Sequence, residues 1–198
     1  ASLVGSEMCI RDSNTTPKFS GGFGLNATYK GFDMSMFFNF MYDFDVLNAN
    51  KIMLTTWADN KENNFLMDIA SDKRWRNFDD MGNEIRYSPE VLAEFNKNAT
   101  MWNPTSIGRP ICMSYAVEDG SFLRLNSATL GYTLPSVWTK KVGLSKVRFY
   151  VSGNNLFTLT GYSGYDPEVN IATGLTPNID YNRYPRSRTY TFGAQLTF

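Results

Sequence analysis

Eight apolar residues at alternate positions, Phe32, Met34, Met36, Phe38, Phe40, Tyr42, Phe44 and Val46, share one face of an extended run. The positions between them hold Asp33, Ser35, Asn39, Asp43 and Asp45, with Phe37 and Met41 as exceptions. Alternation at period two sends successive side chains to opposite faces of a strand, so 32–46 reads as a ribbon with one apolar and one polar face. Such a stripe is longer than the roughly 5–6 residues of an ordinary soluble strand and matches the roughly 9–11 tilted residues that cross a bilayer. The apolar face must meet either a second protein layer, as in a soluble β-sandwich, or hydrocarbon.

Four further segments carry the same period. Residues 19–29 alternate Phe19, Gly21, Phe23, Leu25, Ala27 and Tyr29 against Ser20, Gly22, Gly24, Asn26 and Thr28, and Lys30-Gly31 then forms a tight reversal into the long stripe. In 122–134 the parity slips, because Leu123 and Leu125 lie on one face and Ala128, Leu130 and Tyr132 on the other. Either a bulge near Asn126-Ser127 re-aims the side chains, or Arg124 sits at an interface and snorkels outward. Residues 146–155 set Val147, Phe149 and Val151 against Lys146, Arg148, Tyr150 and Ser152. The last strand, 189–198, sets Tyr190, Phe192, Ala194, Leu196 and Phe198 against Thr191, Gly193, Gln195 and Thr197.

The connections between these strands alternate in length. The turn at 30–31 and the connector 135–145 are short, whereas 47–121 and 156–188 are long. Within 47–121, Ser88 followed by Pro89 predicts a short helix over 89–97, and a second, weaker helical stretch falls around 62–71. Antiparallel pairing puts both long connections on one side, the arrangement of short periplasmic turns and long extracellular loops of an outer-membrane barrel. Tyr29, Tyr42, Phe44, Tyr190 and Phe198 lie near strand ends, as interfacial aromatics do. The expected fold is all-β: the C-terminal antiparallel strands of a large transmembrane β-barrel. Five strands are too few to close a cylinder, since the smallest has about eight.

Composition narrows the function. Lys+Arg and Asp+Glu are 19 each, which argues against a nucleic-acid partner. With no histidine, Ser-His-Asp and Cys-His catalysis and histidine-ligated zinc are excluded, and no enzyme activity or cofactor is expected. Cys9 and Cys112 are too few for a disulfide framework or metal cluster. Asp79 to Glu84 (DDMGNE) has oxygens suited to calcium, but the spacing is not that of an EF-hand, and a solvated turn is the expectation. Residues 1–13 (ASLVGSEMCIRDS) share no pattern with the rest and read as adapter-derived rather than native, leaving 14–198 as barrel.

Four collinear motifs resemble the end of the SusC/RagA family of TonB-dependent outer-membrane transporters of Bacteroidetes-type bacteria. They are TPKFSGGFGLNATYKGFDMSMFFNF (16–40), FLRLNSATLGYTLP (122–135), VRFYVSGNNLFTLTGYSGYDPEVN (147–170) and YPRSRTYTFGAQLTF (184–198). The resemblance implies a barrel of the twenty-two-stranded, plugged class, of which this chain is a C-terminal part. It further implies import of glycans or peptides, a SusD-like surface lipoprotein as lid, and energy delivered through TonB. It also implies an assembly signal at Tyr190, Phe192, Leu196 and Phe198, read by the barrel-assembly machinery.

Recognition chemistry is expected in the long loops. Trp57, Trp75 and Trp102, with Tyr162 and Tyr165, lie there among Asn and Asp side chains, a combination suited to sugar rings, peptide backbones or the lid protein. The same rings could equally pack the loops. Tyr165-Asp166-Pro167-Glu168 resembles a recurring family motif and reads physically as a turn, with Pro presetting φ and Asp bonding its own backbone. The competing function is a soluble β-sandwich that binds carbohydrate.

Overall fold

The computed structural model describes residues 13–56, 65–69, 73–104, 113–169 and 178–198. Trp57, both cysteines and the adapter-like segment, apart from Ser13, lie outside them. The chain divides into two compact units. The first comprises residues up to Val46, Glu118–Ile179 and Arg183–Phe198; the second comprises Leu47–Val117 and Asp180–Asn182.

The strands in chain order are β1 (Phe19–Tyr29), β2 (Phe32–Tyr42), β3 (Asp45–Asn48), β4 (Val117–Asp119), β5 (Phe122–Thr133), β6 (Lys146–Thr160), β7 (Ile179–Asp180) and β8 (Thr189–Thr197). The first unit is built on one antiparallel sheet in the order β1-β2-β5-β6-β8. Tyr29 pairs with Phe32 across the two-residue turn, where Lys30 (φ 46°) and Gly31 (φ 90°) are both left-handed, as a primed hairpin turn requires. Register then carries one face across all five strands: Tyr29, Phe32 and Tyr132 are successive partners, and Tyr132, Phe149 and Ala194 continue the row.

The parity slip in β5 is a bulge. Phe37 faces Ser127 while Phe38 faces Leu125, leaving Asn126 as an extra residue. Leu123 and Leu125 thereby join Ala128, Leu130 and Tyr132 on the apolar face, and Arg124 turns to the polar face. Between the same rungs β6 carries two extra residues, Asn155 and Leu156, so its own parity is unbroken from Phe149 to Leu159.

Two expected boundaries move. The long stripe was expected to run to Val46, but β2 stops at Tyr42 because Asp43 adopts a left-handed φ of 59°. Phe44 and Val46 instead turn into a buried cluster with Phe122, Tyr162 and Val169. Strand β6, expected to end at residue 155, continues to Thr160 through left-handed Asn155, whose amide donates to the Ser187 carbonyl at 3.1 Å. The two exceptions to alternation in β2 are explained on the polar face. Phe37 lies over Gly22, where a Cβ would come within 2.8 Å of its ring, and Met41 packs on the buried cluster.

The connector 134–145 folds into a short helix, α3 (Ser136–Thr139), a 3-10 turn over Lys140–Val142 and a left-handed Gly143. The second unit holds α1 (Ala49–Thr55), whose Asn48 cap accepts from the Lys51 N–H at 3.2 Å, and α2 (Pro89–Phe95). Ser88 is the N-cap residue of α2, as expected, but its side chain makes no capping hydrogen bond. Of the stretch expected around 62–71, the described residues show a 3-10 turn, Met67–Ile69.

In the first unit no second sheet covers the apolar face among the described residues, and Phe19, Phe23, Leu25, Phe32, Leu130, Phe149 and Phe192 are exposed on it. A soluble sandwich would bury these side chains. With hydrocarbon on this face, Val151→Arg is expected to cost about 2–4 kcal/mol, and Ser152→Arg, one residue on but facing the other way, less than about 1 kcal/mol. Urea titration of the full-length protein folded into lipid vesicles measures both; equal losses would contradict the assignment of faces.

Candidate functional site

On the polar face of β5, Arg124 is 2% exposed. Its guanidinium donates to Asp166 Oδ1 at 2.5 Å and pairs with Glu168 at 3.4 Å, while its cation lies 5.3 Å from the centre of the Phe122 ring. Arg186 closes the group from the other side: its Nη2 reaches Glu168 at 2.7 Å and its backbone N–H donates to Asp166 Oδ2. The turn expected at Tyr165 to Glu168 is present, with Asp166 Oδ1 accepting from the Glu168 N–H at 3.0 Å. This clasp fastens both ends of the connection between β6 and β8 to the sheet.

Its electrostatics follow from geometry. Burial works against the charged form of Asp166, but the Arg124 guanidinium and the backbone N–H groups of Glu168 and Arg186 outweigh it, holding the carboxyl below the ordinary carboxylate range. The sequence pointed to the turn but not to Arg124 as its partner, nor to Glu168 and Arg186 as members. The available signal was the parity slip, which left a cation facing inward.

The second unit carries a cleft of about 490 Å³ lined by Trp75, Asn77, Ala99, Thr100, Met101, Trp102 and Asn103. The two strips that form it are tied by Trp75 N–H to the Met101 carbonyl at 2.8 Å. Trp102 is anchored: its Nε1 donates to the Thr55 carbonyl at 3.2 Å, and Tyr115 stands edge-on to it at 5.4 Å. Tyr115 is itself held by Asp68 at 2.6 Å and by Lys51 over its ring. Trp75 is 41% exposed.

The other candidate residues separate. Tyr165 is 84% exposed, but Tyr162 is 6% exposed within the buried cluster, so its ring fills the core and offers a ligand little surface. Trp57 lies outside the described residues. Tyr190, Phe192, Leu196 and Phe198 are exposed, and the first three share the apolar face of the sheet. In the Asp79 turn the carboxylate accepts from Met81 N–H, Asn83 N–H and the Asn83 amide at 2.7–2.9 Å. Those hydrogen bonds, the Asn83 side chain first, hold the Asp79 carboxyl below its ordinary range. No cluster of three potential metal ligands occurs among the described residues.

A single twisted sheet of 9–15-residue strands, exposed and apolar on one face and polar on the other, is a section of transmembrane β-barrel wall. No helix among the described residues is long and apolar enough to cross a membrane. No family model matches the chain. It is 34% identical over 189 residues to TonB-dependent receptor P3 of Formosa agariphila, covering 92% of this chain and 16% of the receptor. It is 38% identical over 88 residues to TonB-dependent receptor SusC of Bacteroides thetaiotaomicron, covering 42% of this chain and 8% of SusC. Among solved structures, the RagAB peptide importer in its closed-closed state superposes with a TM-score of 0.73 at 25% identity, covering 95% of this chain and 18% of the importer chain. The chain belongs with the SusC/RagA-like TonB-dependent transporters, as a segment of their outer-membrane barrel. It spans less than a fifth of the length of the relatives it matches.

Replacing Arg124 by Met leaves Asp166 without its guanidinium partner, while Glu168 keeps Arg186, and breaking a buried pair this way costs about 3 kcal/mol. Limited proteolysis of the full-length barrel should then cut within 161–188 at a rate at least tenfold higher. The same connection should loosen with acid. Because the folded Asp166 pKa lies below its unfolded value, the clasp is at full strength above the unfolded carboxylate range and is lost as pH falls through the lowered value. Proteolysis rates, normalised at each pH to an unfolded substrate of the same protease, that stay constant as pH is lowered from neutral through and below the ordinary carboxylate range would contradict this.

Proposed function

We propose that this chain is part of an outer-membrane importer that takes up glycans or peptides, works with a SusD-like lipoprotein over its extracellular mouth, and is energised through TonB by segments elsewhere in the full-length protein. The observation that carries the reading is the sheet itself, with its exposed apolar face, its polar inner face and its clasped connection, in a chain of which 92% is matched by a TonB-dependent receptor. The structural neighbour bears the name peptide importer, and the curated relatives bear the name receptor; none is named as an enzyme.

In this orientation the tight turn at 30–31 and the connector 134–145 face the periplasm, and the connections at 43–121 and 161–188 face outward. The cleft at Trp75 and Trp102 belongs to the outward-facing connection 43–121, and its anchored indole, exposed indole and Asn77 amide offer the stacking face and hydrogen-bonding groups that a sugar ring or peptide plane needs. Tyr165, exposed on its connection, is a further ring for substrate or lipoprotein, the role expected also of Trp57, which lies outside the described residues. Tyr162 packs in the buried cluster with Phe44, Val46, Phe122 and Val169. The exposed Tyr190, Phe192, Leu196 and Phe198 serve both as lipid-facing surface and as the segment read by the barrel-assembly machinery.

Deletion of the full-length gene should abolish growth on one class of oligosaccharide or peptide, and normal growth on every class would sink the proposal. In the purified full-length receptor, Trp75→Ala should weaken binding of that substrate about tenfold, the equivalent of about 1.4 kcal/mol, with folding unchanged. Unchanged affinity would remove the cleft from the binding surface while leaving the importer reading intact.

A further inference from the structure

The apolar face of the sheet is not uniform. Toward the end that carries the turn 30–31 and the connector 134–145, Phe32, Leu130, Tyr132, Phe149, Val151 and Phe192 surround a hollow of about 530 Å³. Ala194, opposite Phe149, contributes a methyl group where its neighbours contribute rings, which is what sinks the surface there. The Phe32 and Tyr132 rings meet at 4.4 Å and form one wall. Hydrocarbon, not water, is the medium this face is built for, so the hollow is shaped for an acyl tail.

The chemistry at the adjoining end is one-sided. Lys30, Lys140 and Lys141 are exposed there, and the connector 134–145 contains no Asp or Glu. Neither Lys140 nor Lys141 has an acidic partner among the described residues. Among the described residues the one side-chain carboxylate on this part of the sheet, Asp33, is taken by Arg148 through two hydrogen bonds, 3.0 and 2.5 Å. Beside the lysines, Val137 and Trp138 of α3 are exposed, a Trp-and-Lys pairing suited to the boundary between headgroups and acyl chains. An apolar hollow, an exposed indole and ammonium groups without an acidic partner among the described residues therefore lie at the same end of one wall.

We propose that this part of the wall is a binding site for an anionic phospholipid, with one acyl chain in the hollow and its phosphate held by Lys140 and Lys141, Lys30 adding positive potential. The inference rests on the barrel reading and, for the leaflet involved, on the periplasmic placement of the short connections. Lipids with neutral headgroups can fill the hollow but gain nothing from the lysines, so the site discriminates by headgroup charge.

The test uses the full-length receptor, purified in detergent, stripped of lipid and titrated with phosphatidylglycerol or phosphatidylcholine of identical acyl chains, with bound lipid counted by native mass spectrometry. Phosphatidylglycerol should be retained about tenfold more strongly. Lys140→Glu/Lys141→Glu should remove that preference, Lys97→Glu on the second unit should preserve it, and Ala194→Trp, which fills the hollow, should lower occupancy by both lipids. Equal retention of the two lipids by the unsubstituted receptor, or a preference untouched by Lys140→Glu/Lys141→Glu, overturns the proposal. Two controls separate its failure from failure of the underlying reading. Each variant must keep the heat-dependent gel shift of a folded barrel. A cysteine placed at Ser136 must stay unlabelled by an impermeant maleimide in intact cells; labelling there would refute the periplasmic placement and, with it, the leaflet assigned to the lipid.

Discussion

In hydrocarbon a peptide group has no water to bond, so every N–H and C=O of a spanning strand must be paired with a neighbouring strand. That single requirement ranks the other features of the wall. Pairing fixes register, register fixes which side chains share a face, and a slip of one residue would send the whole stripe of Phe and Met to the wrong side. The interruptions are therefore informative. One extra residue in β5, Asn126, shifts parity and brings Arg124 inside; two in β6, Asn155 and Leu156, leave parity unchanged. The wall tolerates broken ladder geometry at this level and uses it to hold a cation on the polar side.

The inner face solves a different problem. Its side chains must not leave gaps that loosen the sheet. Large residues lie over glycines on the neighbouring strand: Phe37 covers Gly22, and Tyr150 lies where a Cβ on Gly193 would come within 2.3 Å of its ring. Size is thus matched across strands, not along one, and a residue that looks misplaced in its own strand has its reason one strand away.

This is also why some of the architecture was legible in the sequence and some was not. The paired stripes of β1, β2 and β8 and the Lys30-Gly31 reversal depend on neighbours a few residues apart or on a simple period, and they could be read directly. The end of β2 could not, because Asp43 leaves the strand by its backbone conformation while Phe44 and Val46 keep the alternating pattern into the core. The extension of β6 was hidden by Asn154-Asn155, a pair that reads as a turn and in fact bridges a bulge. Helix α1 follows β3 with no glycine or proline to mark the change. Tyr162 looked like a binding residue because aromatic loop positions serve surfaces and cores alike. The clasp joins residues 42 positions apart in sequence, a juxtaposition no local pattern encodes.

The clasp in turn limits what can move. A connection of this length on the rim of a barrel would ordinarily sample many conformations, since little apolar burial holds such a segment. Here its first turn is fastened by Asp166 and Glu168 to Arg124, and its return by Arg186 to the same two carboxylates. Opening the first turn would separate Arg124 and Asp166, which are largely shielded from water, a larger penalty than parting an exposed pair such as Lys18 and Asp43, whereas Arg186 is half exposed. Both ends of the connection thus move with the wall. Any displacement of neighbouring segments must be taken up by those that lack such ties, and the clasped ends serve as a fixed frame against which those segments move.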